Sequence, residues 1–328
     1  MSNERSVLLL ADFDDGPNAH AAQRRRALER LGLRVTTFDL SAKPSIFERM
    51  RVGDLPRRLE RALDEAAPDL VLTFGSAQLD EPLVDRLRGR SRARWITWMP
   101  DDLRTAYEAS VLARPYDQIY AVGTDVAAEV ADRLGRTVDV LSVAADPSVY
   151  RPIRTKDQYR ANVVFAGAAT PRRERLLGEL VEFGLALWGP GWRQTSLRDY
   201  CRGEATSTGE YVRAYAGATV AVNIHHVAVE GDPREAACNQ RLFELAAMGA
   251  AQVVDERGDL ARSFEAGEEV LPFRDSGELR NHVRELIENP AEAERLGQAA
   301  RARALRDHTY MHRMRQLLLD QPRPMLPE

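Results

Sequence analysis

A chain of 328 residues is long for one domain and suits two of roughly 150 residues each. With 44% hydrophobic residues, 29% charged residues and a formal net charge of −4, it has the make-up of an ordinary globule, and neither nucleic acid nor an acidic membrane surface is expected as a partner. Its two cysteines, Cys201 and Cys238, exclude a disulfide framework, and no Cys/His spacing resembles a zinc site.

Short apolar runs alternate with amphipathic stretches along the chain, the pattern of parallel sheets wrapped by helices. The first run, at 6–10, is too short for a secretory signal and meets Asp12, Asp14 and Asp15 at once. It is expected to be a strand, in a cytoplasmic protein with no integral membrane segment. Asp14 falls in a turn at 12–18 where Gly16 permits a tight bend and Asn18 caps a helix at 18–31, closed by Gly32. Further strands are expected at 33–37, 70–74, 95–98, 118–122 and 138–141. Asp101 and Asp102 follow the strand at 95–98. They fit an N-cap and a helical first turn, and equally fit carboxylates that orient a substrate hydroxyl.

Asp146-Pro147 and Arg151-Pro152 break the periodicity between 144 and 160, which marks a linker. The expected domains are 1–150 and 151–308, with 309–328 a last helix and tail that pack back on the first. A second series of strands follows at 162–167, 185–188, 219–223, 251–254 and 270–273. Ligands of such sheets bind outside the carboxyl ends of the strands, so the loops there hold the candidates. Gly167 opens a small-residue turn leading to Arg172 and Arg173 at a helix start. Cations there oppose the helix dipole, which a bound anion or a solvated charged face would each explain. Trp188-Gly189-Pro190-Gly191-Trp192 either brackets a flat base or packs the domain edge. His225 and His226 end the third strand of the series, where imidazoles can donate to phosphate or sugar oxygens; no third ligand accompanies them, and no metal is expected. Asn239, Gln240 and Arg241 then begin a helix that Gly249 stops. Its unpaired N–H groups and positive dipole end favour a diphosphate, and Glu244, one turn on, is placed for ribose hydroxyls.

From Asn162 to Tyr310 the chain resembles the CgeB-like (spore-maturation type) glycosyltransferases. The resemblance is carried by Phe165 and Gly167 with Arg172 or Arg173, by Gly189, Gly191 and Trp192, by Arg241-Leu242-Phe243-Glu244 with the stop at Gly249, and by His308-Thr309-Tyr310. Trp98 with Asp101 and Asp102 is a comparable but earlier match. The resemblance implies an α/β chain of the GT-B type, two Rossmann-like doubly wound parallel-sheet domains facing a central cleft. It implies transfer of a sugar from a nucleotide-diphosphate donor, such as a UDP- or dTDP-sugar, to a hydroxyl of a small-molecule, glycan or protein acceptor. The reaction would be metal-independent, would retain the anomeric configuration and would need no cofactor beyond the donor. Asp14, Asp101 and Asp102 are then the candidate catalytic carboxylates. Donor binding falls to Gly167, Arg172, Arg173, Trp188, Gly189, His225, His226, Asn239, Gln240, Arg241 and Glu244.

Related retaining group 1 transferases carry two glutamates eight positions apart; Glu244 matches the second, but the first position falls on Ala236. Neither Lys43 nor Lys156 matches the lysine that class places near the phosphates, so an arginine stands in. A GT-B-like sugar-nucleotide epimerase and a non-catalytic nucleotide-sugar-binding protein are the alternatives. A nicotinamide dehydrogenase is disfavoured, since no strand is followed by Gly-x-Gly-x-x-Gly.

Overall fold

The computed structural model describes residues 5–13, 20–42, 54–74, 78–99, 106–226 and 236–319. The chain forms two compact units, one from the described residues up to Ser142 together with the helix Tyr310–Leu319, the other from Val143–Thr309.

The first unit is a six-stranded sheet of β1 (Ser6–Ala11), β2 (Arg34–Asp39), β3 (Leu70–Thr73), β4 (Arg94–Met99), β5 (Gln118–Ala121) and β6 (Asp139–Val140), in the order β2-β1-β3-β4-β5-β6. All its pairings are parallel. Strands covered on both faces must be apolar at every position rather than at alternate ones, and β1 and β3 are buried throughout. Their side chains meet Leu59 and Leu63 of the helix Leu55–Ala66 and Leu83, Val84 and Leu87 of the helix Glu81–Arg88 in one core. Asp54 and Asp80 cap these two helices by accepting the N–H of Arg57 and Leu83, and each helix has proline in its first turn, where the missing N–H costs nothing. The helix Tyr310–Leu319 is tied into this unit by Arg313, whose Nε and Nη2 donate to the carbonyl and hydroxyl oxygens of Ser142 at 2.6 and 2.9 Å.

The second unit repeats the architecture with β7 (Ala161–Ala166), β8 (Leu185–Trp188), β9 (Cys201–Gly203), β10 (Ala218–Asn223), β11 (Gln252–Asp255) and β12 (Leu271–Phe273), in the order β12-β11-β10-β7-β8-β9 and again parallel. Numbered within the unit this is the 3-2-1-4-5-6 order of doubly wound nucleotide-binding sheets. Two parallel, doubly wound sheets are what the sequence leads one to expect. The order reverses between β1 and β3 in the first unit and between β7 and β10 in the second. At such a switch point the connections leave in opposite directions and open a crevice at the strand ends. The expected stop of the helix Gln240–Met248 at Gly249 is present with φ +72°, the left-handed conformation that glycine adopts without penalty. Among the described residues no helix is long and apolar enough to cross a membrane.

Candidate functional site

The crevice between β7 and β10 is where the candidate residues of the second unit meet. Thr170 caps the helix Pro171–Gly178, accepting the N–H of Arg173, and this turns two consecutive arginines toward the strand ends. Arg173 is 6% exposed and spans the switch point. Its Nε and Nη2 donate to the carbonyl of Ile224, after β10, at 3.2 and 2.8 Å, and its Nη1 donates to the carbonyl of Ala168, after β7, at 2.9 Å. Burial lowers its pKa to about 10, and the nearby charge of Arg241 adds to the effect. Three of its five N–H donors are thus spent on backbone, and Arg173 holds the two loops together. Arg172 takes the other direction, with Nη1 2.9 Å from Asp255 Oδ2 and the side chain 22% exposed.

Arg241, in the first turn of the helix Gln240–Met248, closes the crevice from the opposite side. Its guanidinium carbon stands 5.1 Å from the centre of the Phe165 ring, and Arg173 stands 5.2 Å from the same ring. A Cβ on Gly167 would come within 2.8 Å of Arg241 Nη2 and 3.2 Å of the Phe165 ring. Glycine at 167 therefore makes the room that this guanidinium fills. Burial works against the charge on Arg241, but Tyr215, Tyr211 and Glu244 outweigh it and hold the pKa above its usual value.

His225 has a different role from the phosphate or sugar donor the sequence suggests. Its Nε2 accepts the backbone N–H of Asn239 at 2.9 Å, so the ring proton is on Nδ1, which faces Asp255 Oδ1 at 2.6 Å; its own backbone N–H also donates to Asp255. Both ring nitrogens are engaged. Burial depresses the His225 pKa, whereas His225, Arg257 and Arg172 together overcome burial and hold Asp255 well below the ordinary carboxylate range. The pair is a neutral imidazole beside a carboxylate, and it fixes the start of the helix at 240. His226 is exposed.

Asn239 is the N-cap, accepting the N–H of Leu242 at 3.0 Å. Its amide also exchanges two hydrogen bonds with Asn223, and Asn223 continues to Gln252, which donates to the carbonyl of Leu242. This chain of satisfied amides locks β10, β11 and the helix in register. The side chain of Gln240 donates to the carbonyl of Ala144.

Two further expectations change. Trp188 is 1% exposed, stacked on Tyr159 at 6.3 Å and 22°, and Trp192 is fully buried with Nε1 on the Gly167 carbonyl at 2.8 Å. Neither indole has a face for a base, so the packing alternative holds. Gly189 is required by the fold itself: at φ +128° a Cβ there would collide with the Gly167 carbonyl. Glu244 is 4% exposed rather than open to a ribose. Burial pushes its pKa up to about 7, with the hydroxyls of Tyr150 and Tyr211 and the charge of Arg241 acting against that rise.

Asp14, Asp101 and Asp102 lie outside the described residues, as do residues 227–235. Asp255, Tyr150 and Tyr211 escaped the sequence reading, although Asp255 has a signal in the acid that ends the buried run Gln252–Asp255. Among the described residues no cluster of three or more His, Cys, Asp or Glu side chains could hold a metal ion.

At this switch point four guanidinium groups, those of Arg172, Arg173, Arg241 and Arg257, surround the two carboxyl groups of Asp255 and Glu244. Over residues 172–319 the chain matches the family described as glycosyl transferase-like. The whole chain is similar in structure to a sucrose-phosphate synthase from Thermosynechococcus elongatus, with a TM-score of 0.68 at 16% identity over 96% of this chain and 98% of that one. The fold is that of a GT-B glycosyltransferase. A glycosyltransferase from Rickettsia africae shares the GT-B fold with a TM-score of 0.66 at 10% identity, over 97% of both chains. So does Anabaena HepE in complex with UDP and glucose, with a TM-score of 0.64 at 13% identity, over 96% of this chain and 99% of that one. No curated protein matches the chain in sequence.

Proposed function

We propose that this protein is a metal-independent glycosyltransferase that binds a nucleotide-diphosphate sugar at the β7–β10 switch point and passes the sugar, with retention, to an acceptor hydroxyl. One observation carries the reading: an excess of guanidinium over carboxylate is gathered where the first turn of the helix Gln240–Met248 meets the carboxyl ends of β7, β10 and β11. As the bond from the anomeric carbon to the diphosphate breaks, negative charge grows on the leaving oxygens. Arg241 beside Gly167, the free donors of Arg172 and the helix dipole would stabilise that charge without a divalent ion. Arg173 and His225 would act as positioning residues, the first holding the loops after β7 and β10, the second setting the helix start. The structures of Anabaena HepE in complex with UDP and glucose and with UDP-glucose support a nucleotide-sugar donor here. Within this reading Asp14, Asp101 and Asp102 remain the candidate carboxylates for the acceptor hydroxyl, and the first unit is the acceptor side.

Thermal unfolding with UDP-, dTDP- and GDP-sugars tests it. A donor at 100 times its dissociation constant should stabilise the protein by about 2.7 kcal/mol, equally with and without EDTA. Absence of stabilisation by any of the nucleotide sugars, or its loss with EDTA, would refute the reading.

A further inference from the structure

The first unit has a cation of its own at its switch point. Arg24 lies on the helix His20–Arg30, which follows β1, and its guanidinium carbon stands 4.0 Å from the ring centre of Phe74, just after β3. It is also 4.9 Å from the ring centre of Trp98, in β4, and 5.5 Å from that of Tyr310. Trp98 and Tyr310 are each 1% exposed and meet edge to face at 6.4 Å, so the cage they form with Phe74 is built in place. The next residue, Arg25, is paired with Glu29 at 3.6 Å. Arg24 has no such carboxylate among the described residues, and its Nε is buried without an acceptor.

Aromatic rings attract the faces of a guanidinium but give nothing to the five N–H donors around its edge. A cation taken out of water without a counter-charge is costly, and anything that supplies one is bound in proportion. Holding the guanidinium plane in advance removes part of the ordering cost of binding. The neighbouring His20 adds no second charge, since burial and the proximity of Arg24 bring its pKa down to about 3. The location agrees with the chemistry, because Arg24 and Phe74 follow β1 and β3, the strands between which the order of this sheet reverses.

We propose that Arg24, held in the cage of Phe74, Trp98 and Tyr310, binds an anionic group of the acceptor, a carboxylate or a phosphate. The acceptor assignment rests on reading the first unit as the acceptor side; the anion site does not.

Calorimetric titration of the full-length protein with glucose 6-phosphate and with glucuronate, against glucose as the uncharged comparison, tests it. UDP is kept at saturation so that the arginines of the second unit are occupied, and UDP binding is measured separately. At least one anion should bind tenfold or more tighter than glucose, and which one does so distinguishes phosphate from carboxylate. Arg24→Gln should remove the preference, and Arg24→Lys, which keeps charge and ring contacts, should keep part of it. Equal or absent binding of all three probes by the wild-type protein overturns the inference even if neither variant folds. So does unchanged anion binding by a folded Arg24→Gln protein. A protein that binds UDP but no anion loses this inference and keeps the donor site; one that binds an anion through Arg24 but no nucleotide loses the donor site alone.

Discussion

His225 Nε2 and the backbone N–H of Asn239 are joined at 2.9 Å, so an imidazole takes one of the donors that a helix start would otherwise offer a ligand. The other face of the ring, through Nδ1, meets Asp255. Replacing His225 with phenylalanine keeps the bulk but strips a partner from a buried carboxylate and from a buried N–H, a loss of about 2–4 kcal/mol. Urea unfolding at pH 7.5 checks this. The pH response has a definite sign. His225 has a folded pKa below its ordinary value, so its contribution is complete above about pH 6.5 and falls away as pH drops toward the folded pKa. Asp255, held low in the folded state, also loses its contribution on the acid side, below the ordinary carboxylate range. The phenylalanine variant should show a shallower loss of stability just below pH 6.5 than the wild-type protein.

Gly167 and Gly189 pack against each other yet should respond differently to alanine. At Gly167 the obstacle is Arg241 Nη2, the far end of a flexible side chain, with the Phe165 ring next to it. Gly167→Ala should cost about 1 kcal/mol of stability and displace the guanidinium, weakening UDP binding at least tenfold. At Gly189 the obstacle is backbone and φ is +128°, so Gly189→Ala should destabilise by about 2–4 kcal/mol. Comparing melting temperatures with UDP dissociation constants for the two variants separates these effects. Equal loss of stability in both would show that Arg241 cannot yield.

Arg241 and Arg173 form a second contrasting pair. Arg173 is bonded to the carbonyls of Ile224 and Ala168, and Arg173→Gln would leave those buried acceptors short, at about 2–4 kcal/mol. The contact of Arg241 to Asn223 Oδ1 is long, at 3.4 Å; the guanidinium also meets Tyr211, and its Nη2 faces Gly167. Arg241→Gln should lower UDP affinity 10- to 100-fold, about 1.4–2.7 kcal/mol, with a smaller change in the urea midpoint. If Arg241→Gln bound UDP as the wild-type protein does, the donor phosphates would have to be held elsewhere.

Much of the fold was legible because parallel strands buried on both faces must be written as unbroken apolar runs. Val7–Ala11 and Val163–Ala166 show this directly. β9 was not legible: Cys201–Gly203 is three residues long at a sheet edge, and its burial pattern has no apolar run to detect. In the site, sequence spacing located the strand ends and the helix start but could not say which polar atoms were already spent. The bonds of Arg173 to the Ile224 carbonyl and of His225 to Asp255 are made across 51 and 30 positions of sequence, where no local pattern reaches. The tryptophans illustrate the same limit, since Trp188 and Trp192 look alike beside glycines whether they face a ligand or the core.

Glu244 gives the most direct pH test. Its folded pKa is about 7 against an ordinary value of 4.5, so between these values the folded protein keeps a proton that the unfolded chain has released. A site that binds more protons when folded makes unfolding easier as pH rises. Its contribution is fully present below about pH 4.5 and is lost by pH 7, a change on the order of 3 kcal/mol at most. Glu244→Gln removes the titration while keeping an amide against Tyr150 and Tyr211. Relative to the wild-type protein, the variant should gain stability from pH 5 to about pH 7 and level off by pH 8, measured as the difference in urea midpoints. Glu244→Ala should show the same dependence on pH, offset at every pH by a constant loss, because truncation leaves the buried Tyr150 hydroxyl short of a partner and opens a cavity. A midpoint difference between wild type and Glu244→Gln that stays constant from pH 5 to pH 8 would mean that this carboxyl is ionised throughout, and that Arg241 and the tyrosines outweigh its burial.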